Sequence, residues 1–471
     1  MRVRAGVLFL LAVAAASGAG CGGSSSSMPA PAYGGLQAPN SASSPSPIKH
    51  VVIIVQENRT FNNFFATFPG ADGTTVGKIV KDGACGVHKT GTIALTKSTL
   101  IIAHDLDHNI SGYFAAYDKG KMDGFDKVLN SSKAPECTFP YQYTDPTQIA
   151  PYIDMAAQYV LAEHMFTTQG SSSFVAHQDL IAGGTQVETS PPMMVTNDPS
   201  CSGLKCYWGC DAPKGTHTSL ISETGIWKPY VNKGPFPCFT YATMRDLMDA
   251  ASVSWRYYVP ASNTNFGKLL SAFDAIQAVR YGSEWTDGHI STPQTNIFSD
   301  VSGGQLQNVS WVIPDEPDSD HPGETKDTGP QWVASVVNAI GQSQYWNSTA
   351  IVIVWDDWGG LYDNLSPQQV GFGGLGFRVP AIVISPYAKI GSGSEGGYIS
   401  GTQYEFGSIL KYVEQNWNLG SLGTSDQRAN SLVDCFDYTQ SPRAFTPIPS
   451  SLSKDYFIHR KPSYLPIDDD F

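Results

Sequence analysis

Five short runs of apolar, largely β-branched residues constrain this chain more than any other feature: Val51–Val55, Tyr159–Ala162, Val309–Ile313, Ala350–Trp355 and Pro380–Ser385. None alternates apolar with polar residues. A strand exposed on one face alternates; a strand covered on both faces does not. Helix-like stretches lie between them, at Thr147–Tyr159, Gln331–Gln342 and Tyr404–Gln415. The order strand, helix, strand predicts an α/β fold with a mostly parallel central sheet and helices on both faces. The chain has 471 residues and is 41% hydrophobic, enough for one large core. The stretch from about 190 to 245, with its cysteines, prolines and glycines, reads as an insertion.

The first residues read as a bacterial export signal. Arg2 and Arg4 supply positive charge, and the apolar core Val7–Ala16 is too short to span a bilayer comfortably. Ser17-Gly18-Ala19-Gly20-Cys21 is similar to a lipobox, with Cys21 as the lipidated residue. Ordinary cleavage near Gly20 is the alternative. These features predict a signal peptide at 1–20, a flexible Ser/Pro/Gly-rich tether at 21–47, a catalytic domain at 48–450 and a C-terminal tail at 451–471. The expected destination is the periplasm, the outer membrane as a lipoprotein, or the exterior. Loss of Arg2 and Arg4 with the leader takes the formal charge from -13 to -15. With no cluster of Lys and Arg, nucleic acid is excluded as a partner.

Beyond Cys21, seven cysteines remain: Cys85, Cys137, Cys201, Cys206, Cys210, Cys238 and Cys435. In an exported chain they predict disulfides rather than metal ligands, with one thiol left over. Cys201, Cys206 and Cys210, with Cys238 as a further member, read as a stapled loop.

In parallel sheets the site lies beyond the carboxyl ends of the strands. The first four runs are followed by Gln56-Glu57-Asn58-Arg59-Thr60-Phe61, His164 to Ser173, Asp315 to Pro322, and Asp356-Asp357-Trp358-Gly359-Gly360. Glu57, Asn58, Asp356 and Asp357 are hard oxygen donors of the kind that suits Mg, Ca or Mn. Neighbours in an ideal strand face opposite ways, so two adjacent aspartates share an ion only if the chain is already leaving the strand. Gly359 and Gly360 ease that departure. Taken alone, the doublet reads equally well as an acidic turn with a capping Asp. Ser171 to Ser173 follow Gly170 on a strand-to-helix turn; alone they read as a flexible turn, beside a cation as a nucleophile. His108 and His321 suit phosphoryl binding or leaving-group protonation.

Several ordered motifs together resemble a known family. They are His50 to Phe61 with its Glu57-Asn58-Arg59-Thr60-Phe61 opening, Asp105 to His108 with Gly120 to Phe125, Asp320-His321-Pro322, Trp355 to Asp363, and the stretch from Glu405 to Pro449. The family is that of the bacterial phosphoesterases, which includes acid phosphatases and phosphatidylcholine-type phospholipases C. The resemblance implies an alkaline-phosphatase-like α/β fold and one divalent ion held by Glu57, Asn58, Asp356 and Asp357. It also implies a Ser or Thr nucleophile. The family's G-P-[ST]-x-P-N is altered here to Gly170 to His177. Counting back from Leu180-Ile181-Ala182-Gly183 places the nucleophile at Ser173, with Ser172 next. His108 and His321 match positions that line the phosphate pocket. Asn58, and less strongly His289, are expected to bind substrate. Tyr362-Asp363-Asn364 lacks the His of the family's Y-D-H, and no Cys-x-Pro-x-Arg is present, which disfavours sulfatase relatives.

The expected activity is metal-dependent phosphoric ester hydrolysis through a phosphoserine, most nearly that of an acid phosphatase, because the chain ends soon after the catalytic region. The substrate is then a small phosphomonoester. The alternatives are a phospholipase C acting on a lipid head group, with Trp355, Trp358 and Tyr362 as candidate faces for choline, and a non-catalytic binding lipoprotein.

Overall fold

The computed structural model of the chain describes residues 46–83, 85–88, 90–102, 104–200, 207–223, 234–323, 328–392 and 396–464. The leader, Cys21, nearly all of the tether, Cys201 and Cys206 lie outside them.

The central sheet has eight strands: β1 (His50–Gln56), β2 (Val160–Ala162), β3 (Trp255–Tyr258), β4 (Ile290–Ser291), β5 (Val309–Val312), β6 (Thr349–Trp355), β7 (Ala381–Ile384) and β8 (Tyr398–Ser400). Their order across the sheet is β4-β3-β5-β1-β6-β7-β2-β8. Strands β1, β3, β4, β5 and β6 pair in parallel. Only β7 runs against its neighbours, β6 and β2, which leaves β2 and β8 pointing the same way as β1. The sheet is therefore mostly parallel, as the non-alternating runs predict.

Strands β1 and β6 pair along their whole length, from His50 with Thr349 to Gln56 with Trp355. Every residue of β6 is buried, as is every residue of β1 after His50. Both faces are covered, which is why neither strand alternates. Each Val or Ile buried there stabilises the fold by roughly 1.5–3 kcal/mol.

Helices pack in pairs. α1 (Phe61–Phe65) follows β1 directly. α2 (Ile110–Tyr117) is capped by the Asn109 side chain, which accepts from the Ser111 and Gly112 N–H groups. α3 (Ala150–Gln158) packs on α5 (Gly329–Gly341), and α4 (Ser173–Ala182) packs on α6 (Phe406–Trp417). Helices α3 and α5 both start with a proline in the first turn, where a missing N–H costs nothing.

The 190–245 stretch holds two strands of a small antiparallel sheet, Pro192–Thr196 and Ser219–Ser222, with Gln186–Thr189 as the third. The Cys210–Cys238 disulfide staples it. A second disulfide joins Cys85 to Cys137, and Cys435 is a free, buried thiol. The segment expected as a tail carries a helix, Lys454–His459, and then docks on the loop after β5. There Arg460 Nη2 donates to Asp315 Oδ2 at 2.9 Å and to Asp318 Oδ2 at 2.6 Å. Among the described residues no helix is long and apolar enough to cross a membrane.

Candidate metal centre and nucleophile

Because β1, β2, β5 and β6 point the same way, their carboxyl ends meet at one edge of the sheet. Glu57 and Asn58 follow β1, Ser173 comes from the loop after β2, His321 from the loop after β5, and Asp356 and Asp357 from the end of β6. All six are buried, and so is His108.

The chain turns sharply at this edge. Asn58 has φ +60° and Asp320 φ +68°, left-handed conformations that Asn and Asp tolerate better than most residues. Gly359 and Gly360 have φ of +56° and +71°. A Cβ on Gly359 would stand 2.2 Å from the Asn58 carbonyl oxygen. Glycine is needed there both for its backbone angles and for the close approach of the two strand ends.

The two aspartates divide their work. Asp356 Oδ1 accepts the N–H groups of Asn58 at 2.9 Å and Asp357 at 2.7 Å. Its other oxygen faces Glu57 and His177. His177 Nε2 lies 3.0 Å from Glu57 Oε1 and 3.7 Å from Asp356 Oδ2. Glu57, His177 and Asp356 thus form a buried group that can hold a metal ion. Asp357 faces Ser173 instead: Ser173 Oγ donates to Asp357 Oδ2 at 3.1 Å, and His108 Nε2 lies 3.6 Å from the same oxygen.

Three acidic side chains in one buried place are unfavourable without a counter-charge. Burial, and then the Asp357 charge, raise the Glu57 carboxyl to about 8 against the opposing pull of its contact with Asp356. Burial and the Glu57 charge raise Asp356 well above the ordinary carboxylate range; burial and the Asp356 charge do the same to Asp357. Glu57 Oε2, Asp356 Oδ2 and Asn58 Oδ1 are buried with no hydrogen-bond donor among the described residues. Unmet acceptors around concentrated negative charge fit a divalent ion.

Ser173 opens α4, where the helix dipole favours negative charge. The loop before it is tied down from a distance. Phe174 N–H donates to Asp198 Oδ1 at 2.9 Å, and Asn197 N–H to Ser171 Oγ at 2.7 Å. Asn197 Oδ1 in turn accepts from Ile110 N–H at 2.8 Å, which joins the start of α2, and with it the His108 loop, to the nucleophile loop. Ser172 is buried beside Ser173, but its Oγ has no hydrogen-bond partner among the described residues.

The histidines are held through their Nδ1 atoms. His108 Nδ1 donates to the Leu106 carbonyl at 2.6 Å and His321 Nδ1 to the Pro322 carbonyl at 2.7 Å. Carbonyls only accept, so both rings carry the Nδ1 proton and present Nε2 elsewhere. For His108, Nε2 meets Asn58 Nδ2 at 2.9 Å. Burial lowers His321 to about 3.

Two expectations need correction. His289 does not join the group: it precedes β4 on the sheet's edge, lies tilted against Trp255 with ring centroids 4.6 Å apart and pairs with Asp287. Its register is that of Arg256, next to Ser310 and Val52, several residues short of the carboxyl end of β1. The four oxygen donors also do not converge as one set. Glu57 and Asp356 do, with His177 as their third member, while Asp357 turns to Ser173; Asn58 gives its Nδ2 to His108 and keeps Oδ1 buried without a donor among the described residues. Nothing in the sequence reading gave His177 a role; the available signal was its place four residues after Ser173, on the same face of a helix.

Trp355, Trp358 and Tyr362 are at most 1% exposed. Trp355 packs on Phe64 and Tyr152, Trp358 on Phe125 and Phe377, and Tyr362 on Phe125 and Tyr141. They belong to the core.

Comparison with known proteins agrees with this geometry. Non-hemolytic phospholipase C of Pseudomonas aeruginosa is 22% identical over 87% of this chain, which spans only 60% of that protein. Phospholipase C A of Mycobacterium tuberculosis is 22% identical over 88% of this chain and 82% of its own length. Among solved structures, a protein of the alkaline phosphatase superfamily from Vibrio parahaemolyticus aligns over 85% of this chain and 74% of its own, with 10% identity and a TM-score of 0.36. That likeness is too weak to add to the assignment. The Phosphoesterase family model matches residues 48–420, a span that includes every residue of the buried group. The chain belongs to the phosphoesterase family.

Proposed function

We propose that the chain is a metal-dependent phosphoric ester hydrolase that works through a phosphoserine at Ser173, with small phosphomonoesters as substrates. The observation that carries this reading is the Ser173 hydroxyl, at a helix N-terminus, hydrogen-bonded to Asp357 beside the Glu57, Asp356 and His177 group.

The ion, held by residues of that group, supplies positive charge against the phosphoryl oxygens. The chain's own residues do the rest. Ser173 Oγ bonds to phosphorus while the bond to the leaving oxygen breaks, and the hydroxyl proton passes to Asp357 Oδ2. The leaving oxygen needs a proton. An inward Nε2 gives one only from a charged ring. His108 has the Asp105 carboxylate 3.8 Å from Nδ1 and Asp357 3.6 Å from Nε2, counter-charges for that form once the Asn58 amide presents Oδ1 rather than Nδ2 to Nε2. His321 stays neutral above about pH 3, so its Nε2 accepts rather than donates. Water then attacks phosphorus as the now neutral His108 Nε2 takes its proton, the bond to Ser173 Oγ breaks as Asp357 returns the proton it holds, and phosphate leaves.

The buried state of Trp355, Trp358 and Tyr362 favours the monoester, because none offers a face to a choline head group. The names of the relatives support a second reading, a phosphodiesterase of phospholipase C type. Hydrolysis of p-nitrophenyl phosphate and p-nitrophenylphosphorylcholine by the full chain, beside Ser173→Ala, separates the two. The monoester alone is expected to be cleaved, with a loss of about 10³-fold or more in the variant. Preference for the choline ester would establish the second reading. Full activity in a folded Ser173→Ala would remove the nucleophile from this scheme.

A further inference from the structure

The ion's identity is narrowed by His177. It shares a face of α4 with Ser173, and its side chain is 2% exposed, with Glu57 at 1% and Asp356 at 0%. A plain hydrogen bond would use the Nε2 proton on Glu57 and leave a proton shared by the two carboxyls to serve both Glu57 Oε2 and Asp356 Oδ2, which have no other donor among the described residues. A shared cation serves all three side chains at once. Nitrogen and oxygen donors bound at about 2.1 Å to one ion stand about 3.0–3.4 Å apart in octahedral or tetrahedral shells. The observed separations of 3.0 and 3.7 Å are close to that range before any ion draws the donors in. Calcium instead collects about six to eight oxygens at about 2.3–2.6 Å, and imidazole is not among its usual ligands.

We propose that His177 Nε2 is a ligand of the ion together with Glu57 and Asp356. The centre is then a mixed nitrogen and oxygen site that takes a first-row ion such as Mn²⁺ or Zn²⁺ in preference to Ca²⁺. This rests on the reading of the buried acids as a cation site.

The test uses the full chain, stripped with a chelator and titrated with Mn²⁺, Zn²⁺, Mg²⁺ and Ca²⁺ by calorimetry. Pulsed electron paramagnetic resonance of the Mn²⁺-loaded chain reads the ligands directly. Binding of Mn²⁺ or Zn²⁺ at least tenfold tighter than Ca²⁺ is expected, with a ¹⁴N coupling in the Mn²⁺ spectrum. In His177→Gln that coupling should vanish while Mn²⁺ still binds, more weakly. The wild-type spectrum alone decides the point if the variant does not fold. Bound Mn²⁺ without ¹⁴N coupling, or a coupling that survives in His177→Gln, overturns the assignment of His177. In either case Ser173-dependent hydrolysis leaves the proposed function standing. Failure of all four ions to bind overturns the cation site itself.

Discussion

Asp356 and Asp357 leave β6 on successive residues and serve different partners, one the Glu57 and His177 side and the other Ser173. The doublet was legible as chemistry only beside the polar ends of the other strands, since taken alone it reads equally well as an acidic turn with a capping Asp. Its division of labour was not, because strand alternation sends neighbours to opposite sides and only the three-dimensional turn shows what lies on each. The same holds for His177, which in sequence is a lone histidine inside a helix. Gly359 tests the turn. Its φ of +56° and the 2.2 Å approach of a Cβ to the Asn58 carbonyl leave no room for a side chain. Gly359→Ala is expected to cost more than about 1 kcal/mol of stability and to lower kcat more than it raises KM, since it displaces Asn58 and the acids together. Chemical denaturation and steady-state kinetics measure both.

The helix that begins at Ser173 is positioned by segments remote in sequence. Asp198 caps its first turn, and Asn197 joins it to the start of α2. Such ties were invisible in the sequence because nothing local marks them. The five apolar runs all became strands. The edge strands β4 and β8, and β3 beside β4, escaped notice because they have two to four residues and carry Arg256, Ser291 or Ser400. The C-terminal segment was also unreadable as part of the site's frame. Arg460 is the cation that bridges Asp315 and Asp318, and Ser463 adds hydrogen bonds to Asp315 and Glu316. The loop they hold carries His321, and its Ser319 carbonyl accepts the Glu57 N–H at 2.8 Å. Arg460→Ala would leave two buried carboxylates without that partner. It should cost about 3 kcal/mol and raise KM several-fold, with Arg460→Lys recovering part of both, as thermal unfolding and kinetics would show.

At the scale of the molecule, fold class and the edge that carries the site followed from the runs and their polar ends. Glu414, on α6, bears on stability as a whole. Burial, and then the nearby Asp426 charge, raise its carboxyl to about 9, far above the 4.5 of an exposed Glu. Between those values the folded chain holds a proton that the unfolded chain releases, so this group's contribution falls as pH rises from about 4.5 to 9. Glu414→Gln keeps a donor toward Asp426 without the titration. Its Tm should exceed wild type by roughly 1–3 °C at pH 8 and by less at pH 5 in scanning calorimetry.

The Cys85–Cys137 bridge has consequences beyond the folded state. It closes a loop with a sequence separation of 52 that contains His108 and all of α2. Closure of that length restrains the unfolded chain by about 4 kcal/mol, but only where an oxidant can make the bond. The segment around His108 is therefore secured by the surroundings as well as by the sequence. A newly made chain among reducing thiols lacks that brace, so the segment that carries His108 is less firmly held there than in an oxidising compartment.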